Sequence, residues 1–131
     1  MRMIIFVTLM MLTLYSCKQN EKNQVAPAKQ EVKENVIYKL YPTDNIWTFL
    51  KLDTRNGKIW QVQYSLDDNF RGEIVLNDKS LVTTGTADNG RFMLYPTKNM
   101  YNFILLDQIY GKIWQVQWSI EEDGRCIFPM Q

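Results

Sequence analysis

Leu40-Tyr41-Pro42-Thr43 returns 54 positions later as Leu94-Tyr95-Pro96-Thr97, and Gly57-Lys58-Ile59-Trp60-Gln61-Val62-Gln63 returns intact as Gly111-Lys112-Ile113-Trp114-Gln115-Val116-Gln117. Asn45 is matched by Asn99, Phe49 by Phe103 and Leu52-Asp53 by Leu106-Asp107, so 40–66 and 94–120 agree at 16 of 27 positions without a gap. A repeat this close means that both copies form the same supersecondary unit. A unit of about 45 ordered residues buries too little surface to be stable alone, so the two copies must share a core.

Each copy reads as strands. Ile37–Tyr41 and Ile46–Asp53 are rich in β-branched and aromatic residues and are separated by Pro42-Thr43-Asp44-Asn45, a turn composition. Asp53-Thr54-Arg55-Asn56-Gly57 then leads into Lys58–Leu66, a hairpin loop that ends on a left-handed glycine. Asp53 and Asp107 are expected to accept backbone hydrogen bonds at that turn. Gly72–Leu76 and Arg125–Phe128 read as a further strand in each copy, Ser80–Val82 as an additional short one, and Thr83–Asn89 as the connection between copies.

The hairpin register follows from the side-chain period of two. With Gly57 as the bulge, Leu52 opposes Ile59, Phe49 opposes Val62 and Trp47 opposes Tyr64; a one-residue slip would set each aromatic against a glutamine. One face of the first copy then carries Trp47, Phe49, Trp60, Val62 and Tyr64, with Lys51 as its only polar member. In the second copy that face carries Tyr101, Phe103, Leu105, Trp114, Val116 and Trp118. The opposite face is split, with Leu50, Leu52 and Ile59 near the hairpin loop and Thr48, Gln61, Gln63 and Ser65 beyond them. Asn102, Gln115, Gln117 and Ser119 repeat the polar half. These patterns predict an all-β fold, an antiparallel sandwich or small barrel of about eight strands, over residues 36–131. The copies, about 36–82 and 90–131, would pack aromatic face to aromatic face about a pseudo-twofold axis. The rival is a pair of propeller-like blades, which could not close a ring without other chains.

The beginning of the chain reads as an address. Met1-Arg2 is a positive start, and Met3–Tyr15 is an apolar run of 13 residues, short of the roughly 20 that span a bilayer. Such a run fits the apolar core of an export signal. Leu14-Tyr15-Ser16-Cys17 follows, and it resembles the lipobox of bacterial lipoproteins, with Tyr15 bulkier than the usual residue. The resemblance covers this segment alone. It implies cleavage before Cys17, removal of 1–16, and lipid attached to the Cys17 sulfur, which would leave no disulfide to Cys126. Residues 17–35 then comprise the lipidated cysteine and a tether rich in Lys, Glu, Gln and Asn around Pro27. That composition buries too little apolar area to offset chain entropy.

Composition narrows the chemistry. The chain has no histidine, which removes a Ser-His-Asp triad, a Cys-His pair and a histidine-based zinc site. Fifteen basic against 14 acidic residues, unclustered, argue against nucleic acid. Asp67-Asp68 and Glu121-Glu122-Asp123 fall at matching turns, with no calcium-loop spacing. No catalytic residue, cofactor or metal site is therefore assigned. The glutamines could form a solvated outer face or a hydrogen-bond ladder where the copies meet. Alternatively Gln61, Gln63, Gln115, Gln117, Thr48 and Asn102 would line a polar surface that recognises a glycan, peptide or protein. The resulting expectation is an exported, lipid-anchored envelope protein, on the periplasmic side or the cell surface, that serves as a non-catalytic binding or structural module. The competing expectations are a carboxylate-based hydrolase and a homo-oligomeric envelope component.

Overall fold

The computed structural model describes residues 36–131; the expected export signal (1–16), Cys17 and the tether to residue 35 lie outside the described residues. Eight strands form among them: β1 (Tyr38–Pro42), β2 (Thr48–Asp53), β3 (Ile59–Gln63), β4 (Gly72–Asn77), β5 (Phe92–Pro96), β6 (Asn102–Asp107), β7 (Ile113–Gln117) and β8 (Cys126–Met130). Each copy is a four-stranded antiparallel meander, β1-β2-β3-β4 and β5-β6-β7-β8, and neither sheet closes into a barrel. The protein is an all-β sandwich of two repeats.

The hairpin register is the one that the side-chain period dictates. Leu52 opposes Ile59 and Phe49 opposes Val62 in the first copy; Leu106 opposes Ile113 and Phe103 opposes Val116 in the second. Gly57 and Gly111 hold φ of +79° and +69° at the ends of the loops, a region that L side chains enter only at a cost. Their surroundings differ. A Cβ on Gly111 would meet nothing within 4 Å, whereas one on Gly57 would come within 2.9 Å of Leu81 Cδ1. Gly111→Ala is thus expected to lower stability by about 1–2 kcal/mol, and Gly57→Ala by more, as read from denaturant midpoints.

The expected strand at Ser80–Val82 is instead unpaired chain. The Asn77 amide donates to the carbonyls of Gly57 and Lys79, both at 2.9 Å, which turns the backbone over the hairpin loop. Leu81 N then donates to Asn56 O at 2.8 Å, and its side chain packs on the core. The acidic turns Asp67-Asp68 and Glu121–Asp123 enter short 3-10 turns at Asp68–Phe70 and Glu122–Gly124.

The copies meet front to back, not aromatic face to aromatic face as expected. From the first sheet the core takes Tyr41, Leu50, Leu52 and Ile59; from the second it takes Phe92, Leu94, Phe103, Leu105, Trp114, Val116 and Trp118. The aromatic face is therefore buried in the second copy, while the first copy buries the opposite face. The physical reason lies at two matched positions. Where the second copy has Leu105 and Ile127, the first has Lys51 and Glu73, joined as an ion pair. Burying that pair between sheets would strip both charges of water for little return.

Thr54 ties the two sheets together, and Arg91 fixes the connection between them to the second sheet. Thr54 donates from its hydroxyl to Val36 O at 2.7 Å, accepts from Gly90 N at 3.0 Å, and offers its carbonyl to Phe92 N at 2.7 Å. It thus ties the start of β5 to the end of β2. Thr54→Ala leaves the partly buried Gly90 amide without its acceptor and is expected to cost about 1–3 kcal/mol, measured by thermal or chemical denaturation. Arg91 sits at the same end of the inter-copy connection, between the Gly90 and Phe92 amides that Thr54 holds. Its guanidinium grips both carboxylate oxygens of Asp107 and donates from Nη1 to the carbonyls of Thr84 and Thr86 at 2.9 and 2.7 Å.

Candidate functional site

Front-to-back packing leaves two outer faces, and they differ in chemistry. The outer face of the first sheet is aromatic. Tyr38 and Leu40 come from β1, Phe49 and Lys51 from β2, Trp60 and Val62 from β3, and Glu73 and Val75 from β4, all on one side by the observed pairing. Trp47 and Tyr64 extend the face at the far end, where Tyr64 N donates to Trp47 O. The rings meet one another tilted or edge-on rather than stand apart, with centroids 5.2 Å apart for Trp47–Tyr64, 6.0 Å for Phe49–Tyr64 and 6.3 Å for Tyr38–Trp60. Tyr38 is 53 % exposed and Leu40 57 %, whereas their repeat partners Phe92 and Leu94 are each 1 % exposed.

A charge sits within this surface. Lys51 Nζ lies 4.8 Å from the Trp60 ring centroid and 5.8 Å from that of Tyr38, and it donates to Glu73 Oε1 at 2.6 Å. A cation over ring faces gains from their quadrupoles, and Glu73 neutralises it. The result is a mainly apolar patch with one self-contained ion pair.

The outer face of the second sheet mixes apolar and amide groups. Tyr95, Ile104, Gln115 and Phe128 share it, as do Met93, Leu106, Ile113 and Met130. Gln115 Nε2 donates to Asn102 Oδ1 at 2.8 Å, and Gln117 Nε2 to Gly124 O at 3.0 Å. Asn102 and Gln117 line a cleft of about 290 Å³ with Asn99, Tyr101, Trp118 and Ser119.

The six polar residues singled out by sequence are thus divided. Thr48 and Gln61 are buried between the sheets, Gln63 borders a shallow cleft beside Phe70 and Gly72, and Asn102, Gln115 and Gln117 face outward on the second sheet. No single surface gathers them. The cause is the front-to-back arrangement, which turns the glutamine face of one copy inward and that of the other outward. The Lys51–Glu73 pair went unremarked as a site in the sequence. Its signal was the lone lysine in an otherwise aromatic stripe.

The acidic groups at the hairpin loops serve the fold. Burial alone would raise the Asp107 carboxyl, but hydrogen bonds from Arg91 and from the Ile109 and Tyr110 amides hold it below the ordinary 3.8. Burial likewise opposes Asp53, and the Arg55 side chain and amide together with Asn56 bring it down. Both therefore stay ionised and fully occupied near neutral pH, which suits a structural anchor better than a proton carrier. Cys126, at the start of β8, is a half-buried thiol. Among the described residues, no three His, Cys, Asp or Glu side chains gather as a metal site, and no helix is long and apolar enough to cross a membrane. No protein-family model, no curated protein and no solved structure matches this chain.

Proposed function

We propose that the protein is a lipid-anchored, non-catalytic docking module of the cell envelope, held to the membrane through Cys17 and engaging a protein partner through the aromatic face of its first repeat. The observation that carries this reading is the contrast between the copies. The same aromatic face that forms the core in the second repeat stands exposed in the first, with Tyr38, Leu40, Trp47, Tyr64 and Val75 all open to solvent. Contiguous apolar patches of this kind on a folded domain mark interaction surfaces, and interface centres favour aromatic residues over charged ones. Binding is favoured over hydrolysis because Asp53 and Asp107 are each engaged by an arginine and by backbone amides.

The test is photo-cross-linking in intact cells that express the full chain. With p-benzoylphenylalanine at Tyr64, irradiation is expected to give a discrete adduct; the same probe at Lys79, in an exposed turn, should give none. Absence of an adduct from Tyr64 would overturn the docking reading. The anchor is checked separately, since Cys17→Ser should move the protein out of the membrane fraction.

A further inference from the structure

We infer that the partner of the first repeat's aromatic face is a second copy of this chain, docked front to back through the outer face of its second sheet. This rests on the docking reading above and names its occupant. The chain already contains the interface. Inside it, Tyr41, Leu50, Leu52 and Ile59 of the first sheet cover Phe92, Leu94, Phe103, Leu105, Trp114 and Val116 of the second.

A shift of 54 positions maps the two buried faces onto the two exposed ones. Phe92, Leu94, Phe103, Trp114 and Val116 correspond to Tyr38, Leu40, Phe49, Trp60 and Val62, the outer aromatic face. Tyr41, Leu50, Leu52 and Ile59 correspond to Tyr95, Ile104, Leu106 and Ile113, the outer face of the second sheet. Each end of the sandwich thus presents one half of a contact whose complete form is seen within the chain. Both ends are apolar as well, with Tyr95 41 %, Phe128 55 % and Met130 43 % exposed on the second sheet. One unrelated partner on the aromatic face would leave this second patch unaccounted for, whereas a second copy covers both.

Such a contact is heterologous, so it propagates into a closed ring or an open stack according to the rotation between successive sheets. It is weaker than the internal contact, because Lys51 and Glu73 stand where Leu105 and Ile127 seal the internal one. The assembly is therefore reversible and concentration-dependent. Anchoring copies to one membrane raises their effective concentration and favours it.

Sedimentation of the full chain in mild detergent, over a concentration series, tests this directly. Wild type should self-associate. Leu40→Glu blocks the first outer face and Ile104→Glu the second, so each variant alone should be monomeric. Mixed, they should form a complex of two and no more, through the one intact pair of faces. Phe128→Glu, at a more exposed position of the second face, replaces Ile104→Glu should the latter fail to fold. Lys51→Leu with Glu73→Ile makes the first face match the second copy and should tighten association by about tenfold or more.

A wild type that stays monomeric throughout the series overturns the inference. So does an Ile104→Glu variant that associates as wild type does, which would indicate a symmetric aromatic-to-aromatic dimer. The Tyr64 adduct separates this inference from the docking reading. A cross-link to the β6–β7 segment of another copy supports both, whereas a cross-link to a different protein keeps docking and removes self-assembly.

Discussion

Asp107→Ala is expected to destabilise the domain by about 3–5 kcal/mol, the usual cost of removing one partner from a buried ion pair. The carboxylate and the Arg91 guanidinium are both 1 % exposed at the side chain and bonded at 2.7 Å. With the acid gone, Arg91 stays fixed by Thr84 and Thr86 but faces an empty, buried site. The loop also loses two backbone amide contacts, from Ile109 and Tyr110. Asp53→Ala at the matching position should cost less, because Arg55 is 35 % exposed at its side chain and can turn to water. Guanidinium denaturation of the two variants beside wild type measures the difference, and equal losses would contradict this account.

The same groups set the acid limb of stability. Both aspartates have folded-state pKa values below the ordinary 3.8. Their contribution is therefore complete well above that value and is lost progressively as pH falls from about 5 through the lower folded values. Stability measured from pH 7 downward should be level in this respect until about pH 5 and then decline. An Asp53→Asn, Asp107→Asn double variant should be less stable at neutral pH and show a flatter decline.

Leu105→Lys carries the second large effect. Its repeat partner is already a lysine, so sequence comparison would pass the change as harmless. Lys51, however, lies on an open face with Glu73 beside it and two rings beneath its ammonium. Leu105 is 0 % exposed, and the position that corresponds to Glu73 holds Ile127. A lysine there would bury an unpaired charge between the sheets, and the domain is expected to lose its cooperative transition, because such a cost approaches the 5–15 kcal/mol stability typical of a whole domain. Lys51→Leu should leave the thermal midpoint within a few degrees of wild type. Near-equal midpoints for the two variants would show that the faces are not distinguished as described.

What was legible in the sequence is local in origin. Strand positions, the two glycine-closed hairpins and the β2–β3 and β6–β7 registers follow from period-two patterning and turn chemistry, which act over a few residues. Asp53 and Asp107 were legible as turn acceptors for the same reason. Their arginine partners were not, because Arg55 and Arg91 occupy different places in the repeat. The aromatic stripe was read as core in both copies, which is right for Phe103, Leu105 and Trp114 and wrong for Phe49 and Trp60.

The repeat by itself determined that the chain makes two equivalent sheets and that these must share a core, since neither can bury enough surface alone. Only the tertiary structure decided which faces meet. That choice rests on Glu73 reaching Lys51, an ion pair that forms through the pairing of β3 with β4 across the 3-10 turn. The two copies agree at 16 of 27 positions and offer similar faces for packing, so a pair of charges and its desolvation is enough to favour one arrangement over the other. The repeat unit is written in the sequence; the exposed aromatic face is a consequence of how two units pack.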